Sequence, residues 1–255
     1  MPTSEEIKKN TFQKIISEIK EKPYYQDDAV CIYNCDCREI LPQIPDKSID
    51  LVLTDPPYGL NMKMSGGTWG IKFKHSDMKD WDYLVSQELL DIIVAKAEHS
   101  IIWGGNNYVL PPSRCWLAWD KTQKLDSLAD FELAWTNYDK PCKSWTERRN
   151  HATNGNEHPT QKPITLMTWC ILQANKPNLI LDPFLGSGTT AVCAKKLGRK
   201  CIGIEIEEKY CEIAANRCRQ SVMPLEIPQT KETTQQDFQG DCRSLCRSGS
   251  GCKLK

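Results

Sequence analysis

The sequence predicts an α/β fold built on an open sheet, and three stretches carry that prediction. The run Ile49-Asp50-Leu51-Val52-Leu53-Thr54 is apolar and rich in strand formers, and it stops abruptly at Asp55-Pro56-Pro57-Tyr58. A buried strand reads this way when its carboxyl end opens into a loop. Asn178-Leu179-Ile180-Leu181 runs into Asp182-Pro183-Phe184-Leu185-Gly186-Ser187-Gly188-Thr189-Thr190, a helical pattern then reaches Gly198, and Cys201-Ile202-Gly203-Ile204-Glu205 follows as a second strand. That is a βαβ unit with an acid at the end of its second strand. Ser100-Ile101-Ile102-Trp103, stopped by Gly104-Gly105-Asn106-Asn107, is a third buried strand. In open α/β sheets the loops at the carboxyl ends of strands carry the chemistry.

In chain order, residues 4–21 place Phe12, Ile15, Ile16 and Ile19 on one helical face, with Thr3 and Glu6 at capping-box spacing. We expect an amphipathic helix over residues 1–23, outside the main core, as a packing or oligomer element; a homodimer is compatible with it. Pro23 ends it, and Ala29-Val30-Cys31-Ile32-Tyr33 reads as a strand, with Asp36 just beyond its end. An acid there is usually a helix N-cap.

The stretch 59–80 is rich in Gly, Lys and Ser without a clean period, and reads as a long loop beside Asp55, either a lid or phosphate-contacting arm or a solvated linker. Trp81 to Glu98 is helical in pattern. Trp116 to Trp119 and Phe131 to Trp135 read as two short strands paired with each other. Residues 140–157 read as a polar loop. Its cluster of Lys140, Lys143, Arg148 and Arg149 suits phosphates. Pro163 to Leu172 is helical, and beyond Arg219 apolar content falls, so a disordered tail is expected over 223–255.

Two loops read as ligand-binding from their residues alone. In the βαβ unit, glycines let backbone N–H groups approach a nucleotide-like ligand, and Glu205, about 20 residues on, is placed to accept from two ribose hydroxyls. The competing P-loop reading lacks its lysine, so the ligand need not carry phosphates. At Asp55-Pro56-Pro57-Tyr58 the prolines pin the backbone, and the loop offers a carboxylate, a rigid carbonyl and an aromatic face. A planar amino-bearing group such as a nucleobase fits that set, and so does a bare proline turn.

At 255 residues, with 40% hydrophobic and 26% charged content, the chain suits one α/β domain with ragged ends. No apolar run approaches the roughly 20 residues of a membrane span, so a cytoplasmic protein is expected, with no membrane partner. The thirteen cysteines are odd in number and match no zinc spacing, which favours reduced thiols. A net charge of zero announces no nucleic-acid partner globally, so any basic surface must be local.

With these segments in place the chain resembles the amino-group DNA methyltransferases of the permuted β type. The resemblance rests on Asp55-Pro56-Pro57-Tyr58, His158-Pro159-Thr160-Gln161-Lys162-Pro163 and Asp182 through Thr190, and on their order, catalytic loop before cofactor loop. It covers Tyr24 to Cys218, and Trp103-Gly104-Gly105-Asn106 with Trp116 to Trp135 looks most like phage- or prophage-borne members, which implies a bacterial or phage-infected cell. Cys35 departs from the glycine common before the acid that matches Asp36.

The resemblance implies a Rossmann-like, S-adenosyl-L-methionine-dependent methyltransferase fold over residues 24–222, with a mostly parallel seven-stranded sheet, an antiparallel hairpin, and target-recognition loops at 59–80 and 139–157. It implies that Phe184 packs on the cofactor's adenine, Asp36 meets its edge and Glu205 holds the ribose. Gly186, Ser187 and Gly188 would border the methionine part, with Thr160 and Lys162 closing its far side and Asp182 and Thr189 completing the set. Asp55, Pro56, Pro57 and Tyr58 would be catalytic, and double-stranded DNA the partner.

The chemistry expected is transfer to an exocyclic amine of a flipped base, adenine N6 or cytosine N4. Two acceptors localise the nitrogen lone pair, and neither a covalent intermediate nor a metal is expected. The Asp at the start of the loop favours adenine by resemblance. Transfer to cytosine C5 would need a Glu-Asn-Val partner for Pro141-Cys142, which the chain lacks. A non-catalytic relative would have lost one of the two loops, and an RNA or protein-glutamine enzyme would more often begin its loop with Asn.

Overall fold

The computed structural model describes residues 4–57, 84–122, 129–148 and 161–220. Their elements are α1 (Ser4–Glu18), β1 (Tyr25–Gln26), β2 (Val30–Asn34), α2 (Cys37–Ile40), β3 (Ile49–Thr54), α3 (Gln87–Lys96), β4 (Ala97–Trp103) and β5 (Trp116–Asp120). They continue with β6 (Phe131–Thr136), β7 (Lys143–Thr146), α4 (Ile164–Gln173), β8 (Leu179–Asp182), α5 (Thr189–Lys196), β9 (Lys200–Glu205) and α6 (Glu208–Arg219).

Among the described residues nine strands form one sheet in the order β1-β2-β9-β8-β3-β4-β6-β5-β7. From β2 to β4 every pairing is parallel, whereas β6 is antiparallel to both β4 and β5. The seven strands implied by the resemblance are therefore present, and each edge carries one more. The two-residue β1 runs antiparallel to β2, and β7 runs parallel to β5.

The strands read as continuous apolar runs because both faces of the sheet are covered. Side chains alternate sides along a strand. Val30, Ile32, Leu51, Leu53 and Ile180 join one buried cluster with residues of α4, α5 and α6. Cys31, Tyr33, Val52, Leu181 and Ile204 join another with residues of α1, α2 and α3. This double cover fixes the register, since a one-residue slip would exchange the two sets.

Three expectations need correction. The first helix does not lie outside the core: Phe12 is 0% exposed and shares the second cluster with Ile15, Ile16 and Ile19, so its apolar face is used on its own sheet. It is not spare as an oligomer surface, and the boundary drawn at residue 23 separates nothing. Residues 140–157 are not wholly loop, because Lys143–Thr146 form β7, where Trp145 packs on Trp169 with ring centroids 5.7 Å apart. The helix expected from Trp81 is α3, which starts after the Ser86 N-cap and yields to β4 already at Ala97, where pairing of Ile49 with Ala97 and Leu51 with His99 takes over. Residues 59–80, residues 149–157 of the expected loop 140–157 and the expected tail 223–255 lie outside the described residues.

Candidate active site

Because β2, β9, β8 and β3 are parallel, their carboxyl ends form one row. Asp36 follows β2, Glu205 ends β9, Asp182 ends β8 and Asp55 follows β3. Four acids from four separate stretches thus meet along one rim.

At the β9 end the glycine turn comes back toward the sheet. Gly186 N donates to Glu205 Oε2 at 2.8 Å and Glu207 N to Oε1 at 2.9 Å. Burial pushes the Glu205 carboxyl up, and these two backbone donors oppose that. Gly188, at φ +82°, begins α5, and a Cβ there would stand 2.6 Å from the Ala214 Cβ. Only glycine lets α5 start this close to α6.

A pocket opens beside the turn, lined by Cys35, Asp36, Phe184, Glu205 and Ile206. Asp36 is both the N-cap of α2, accepting from Arg38 N at 2.9 Å, and the partner of the Arg38 guanidinium. That pairing holds its carboxyl below the usual range. An aromatic ring, an exposed isoleucine and two acids at strand ends fit an adenosine, with apolar surface for the base and acceptors for the base edge and ribose hydroxyls.

Asp182, expected among the cofactor contacts, is 3% exposed and turned inward. It accepts from Thr54 Oγ1 at 2.8 Å and from Phe184 N at 3.1 Å, so it ties β8 to β3 and shapes the turn. Burial pushes it up to about 6 against those hydrogen bonds. Ser187 and Thr189 are likewise buried, and the Arg217 guanidinium from α6 donates to Ser187 Oγ at 3.1 Å and to Thr189 Oγ1 at 3.3 Å. Arg217 clamps the glycine loop from beneath.

At the β3 end the Lys162 ammonium pairs directly with Asp55 Oδ2. Pro56 is buried, and the Pro57 carbonyl accepts from Tyr108 Oη at 2.6 Å, which adds a tether to the rigidity of two prolines. Lys162 also reaches Glu132 Oε2 at 3.3 Å. The structure thus brings Lys162 to the Asp-Pro-Pro loop, where the resemblance placed it against the cofactor. Tyr58, Thr160 and Arg149 lie outside the described residues.

The basic cluster is not one set. Lys140 donates to the Gln173 carbonyl and lies 4.4 Å over the Tyr138 ring, whereas Lys143 on the edge strand β7 and Arg148 beyond it are exposed. Sequence reasoning missed Tyr108, Glu132, Ile206 and Arg217. Ile206 carried a signal, as an apolar residue directly after the strand-ending acid; the other three gain meaning only from partners far along the chain.

Residues 116–216 match the family described as DNA methylase, N6_N4_Mtase. The chain is 30% identical to the Type II methyltransferase M2.LlaDCHI of Lactococcus lactis subsp. cremoris, over 77% of this chain and 91% of that protein. It is 28% identical to M2.DpnII of Streptococcus pneumoniae, over 82% and 97%. In fold it is similar to the S-adenosylmethionine complex of M1.HpyAVI, with TM-score 0.51 and 23% identity over 74% of this chain and 99% of that one. It is also similar to the cytosine-N4-specific PvuII DNA methyltransferase, with TM-score 0.58 and 20% identity over 80% and 92%. By these matches the chain belongs to the N6/N4 family of S-adenosylmethionine-dependent DNA methyltransferases.

Proposed function

We propose that the chain methylates N6 of adenine in double-stranded DNA, acting on a base flipped out of the helix. The observation that carries the reading is the spacing of the two loops. Asp55 stands at the end of β3 and Glu205 at the end of β9, with β8 between them. Two inter-strand steps amount to about 10 Å, a span that a nucleoside with an amino-acid tail can bridge. A ligand held at Glu205 can then present its far end to a base at Asp55.

S-adenosylmethionine supplies an activated methyl on its sulfonium. Everything else is the work of the chain's own groups. Phe184 and Ile206 hold the adenine, Asp36 meets its edge and Glu205 takes the ribose. Asp55 and the Pro56 carbonyl accept the two N–H bonds of the target amine, whose lone pair is otherwise delocalised into the ring. The nitrogen turns tetrahedral and its pair is freed toward the methyl. Lys162 orients Asp55, Tyr108 holds the Pro57 carbonyl, and Tyr58 stacks on the flipped base. Lys143, Arg148 and Arg149 contact phosphates, and the stretches 59–80 and 139–157 read the target sequence.

Asp rather than Ser before the prolines supports adenine over cytosine. The test is nucleoside analysis of DNA from cells expressing the protein, where N6-methyladenine is expected. N4-methylcytosine without N6-methyladenine would overturn the base assignment. Neither product from a folded, cofactor-binding preparation would make the chain a non-catalytic DNA binder.

A further inference from the structure

Strand β6 lies outside all three signature loops, yet it carries a charge that reaches the reacting groups through one intermediary. Glu132 Oε2 lies 3.3 Å from the Lys162 ammonium, and Glu132 Oε1 pairs with the ammonium of Lys121. Lys162 in turn pairs with Asp55. Asp55, Lys162, Glu132 and Lys121 therefore form an unbroken row of alternating charge with no net charge among the four.

The row is not a surface ornament. The side chains of Lys162 and Lys121 are only 8% and 5% exposed. Lys162 lies 5.7 Å from the Trp103 ring centroid and Lys121 lies 5.0 Å from that of Trp119. Burial opposes ionisation of Glu132, but the Lys162 and Lys121 ammoniums outweigh it and hold the carboxyl down to about 2. Exposed ion pairs contribute little, whereas a cation that has lost its water depends on its partner.

Methyl transfer to an amine moves positive charge. The C–S bond breaks with its electron pair left on sulfur, the amine pair forms the N–C bond, and the charge passes to nitrogen until a proton leaves it for water. At each stage a cation stands near Asp55 and hence near Lys162.

We propose that Glu132 is a positioning residue which acts through Lys162, cancelling together with Asp55 the charge of the two buried ammoniums so that the cation moving past Asp55 meets no net positive field from this row. The inference rests on reading this site as one for methyl transfer. Without the Glu132 charge the row carries one more positive charge, beside the carboxylate that must accept from the amine.

S-adenosylmethionine and S-adenosylhomocysteine differ by one methyl and one positive charge, so the ratio of their affinities reports the field at the sulfur. A unit charge about 10 Å away, at an effective dielectric of about 20, alters binding of a cation about tenfold. Calorimetry with both ligands on Glu132→Gln should show S-adenosylmethionine weakened about tenfold and S-adenosylhomocysteine within about twofold of the parent.

Adding Lys121→Met removes the surplus ammonium and should return the ratio toward the parent's. Lys121→Met alone should shift it the other way, favouring S-adenosylmethionine, and that result is readable even if Glu132→Gln does not fold. Equal weakening of both ligands, an unchanged ratio, or a double variant worse than Glu132→Gln would overturn the inference and leave Glu132 a packing residue. A parent protein that bound neither ligand would instead overturn the methyl-transfer reading.

Discussion

The Thr54 hydroxyl donates to the Asp182 carboxylate at 2.8 Å, joining across 128 residues the last position of β3 to the last position of β8. One strand leads into the Asp-Pro-Pro loop and the other into the glycine turn. A buried side-chain hydrogen bond thus joins the ends of the two strands from which the Asp-Pro-Pro loop and the glycine turn depart.

That carboxyl has a pH signature. Burial raises Asp182 to about 6 from its usual 3.8. The folded chain therefore binds more protons than the unfolded one between about pH 4 and 6, so this group's contribution to stability falls as pH rises through that window and is level above it. Two pKa units correspond to about 3 kcal/mol. Urea titrations of the parent and Asp182→Asn at pH 4 and pH 7 should differ by that order, with only the parent losing stability from this source. Parallel curves would show that Asp182 does not titrate there.

Asp55→Ala and Glu205→Ala should separate chemistry from binding. On the proposed reading, loss of an acceptor aimed at the reacting amine is expected to lower kcat about 100-fold or more, while affinity for S-adenosylhomocysteine, which lacks the sulfonium charge, stays unchanged. Loss of Glu205 removes the anchor of Gly186 and, on the proposed reading, a charged acceptor for the ribose, and should weaken the same ligand by about 1–3 kcal/mol. Calorimetry and single-turnover rates measure both. Equal effects of the two variants on binding would mean that the pocket and the loop do not have separate roles.

The basic residues should divide by role. Replacing exposed Lys143 and Arg148 with Ala is expected to weaken binding to all DNA sequences and to flatten the salt dependence, by about one unit of log–log slope for each phosphate that is no longer neutralised. Lys140→Ala, which removes a bond to Gln173 and a cation over Tyr138, should lower the melting temperature and leave the salt slope alone. Fluorescence titrations of a duplex at several salt concentrations decide between them.

Phe12→Ala should destabilise the whole domain by about 3–5 kcal/mol, the usual cost of emptying a fully buried aromatic site. A loss within about 0.5 kcal/mol, the range of surface changes, would return α1 to the outside of the fold.

What the sequence determined by itself was local. A strand-forming run that ends at Asp55 and two prolines, and glycines followed about 20 residues later by Glu205, are patterns whose backbone requirements are met by neighbours in the chain. They were enough to read the α/β fold and the carboxyl-end loops, and with His158 to Pro163 and the order of the three motifs, the family. The tertiary structure decided whatever depends on strand order. Lys162 meets Asp55 across 107 residues, and Tyr108 meets Pro57 across 51 because β3 and β4 are neighbours. Glu132 looked like one polar position in a short strand until β6 was set beside β4. β7 forms from Lys143–Thr146, a segment with no strand pattern of its own, because β5 offers it an edge and Trp169 a surface. Hydrogen bonds and ion pairs between distant segments follow from which strands lie side by side, and periodicity within a segment does not encode that order.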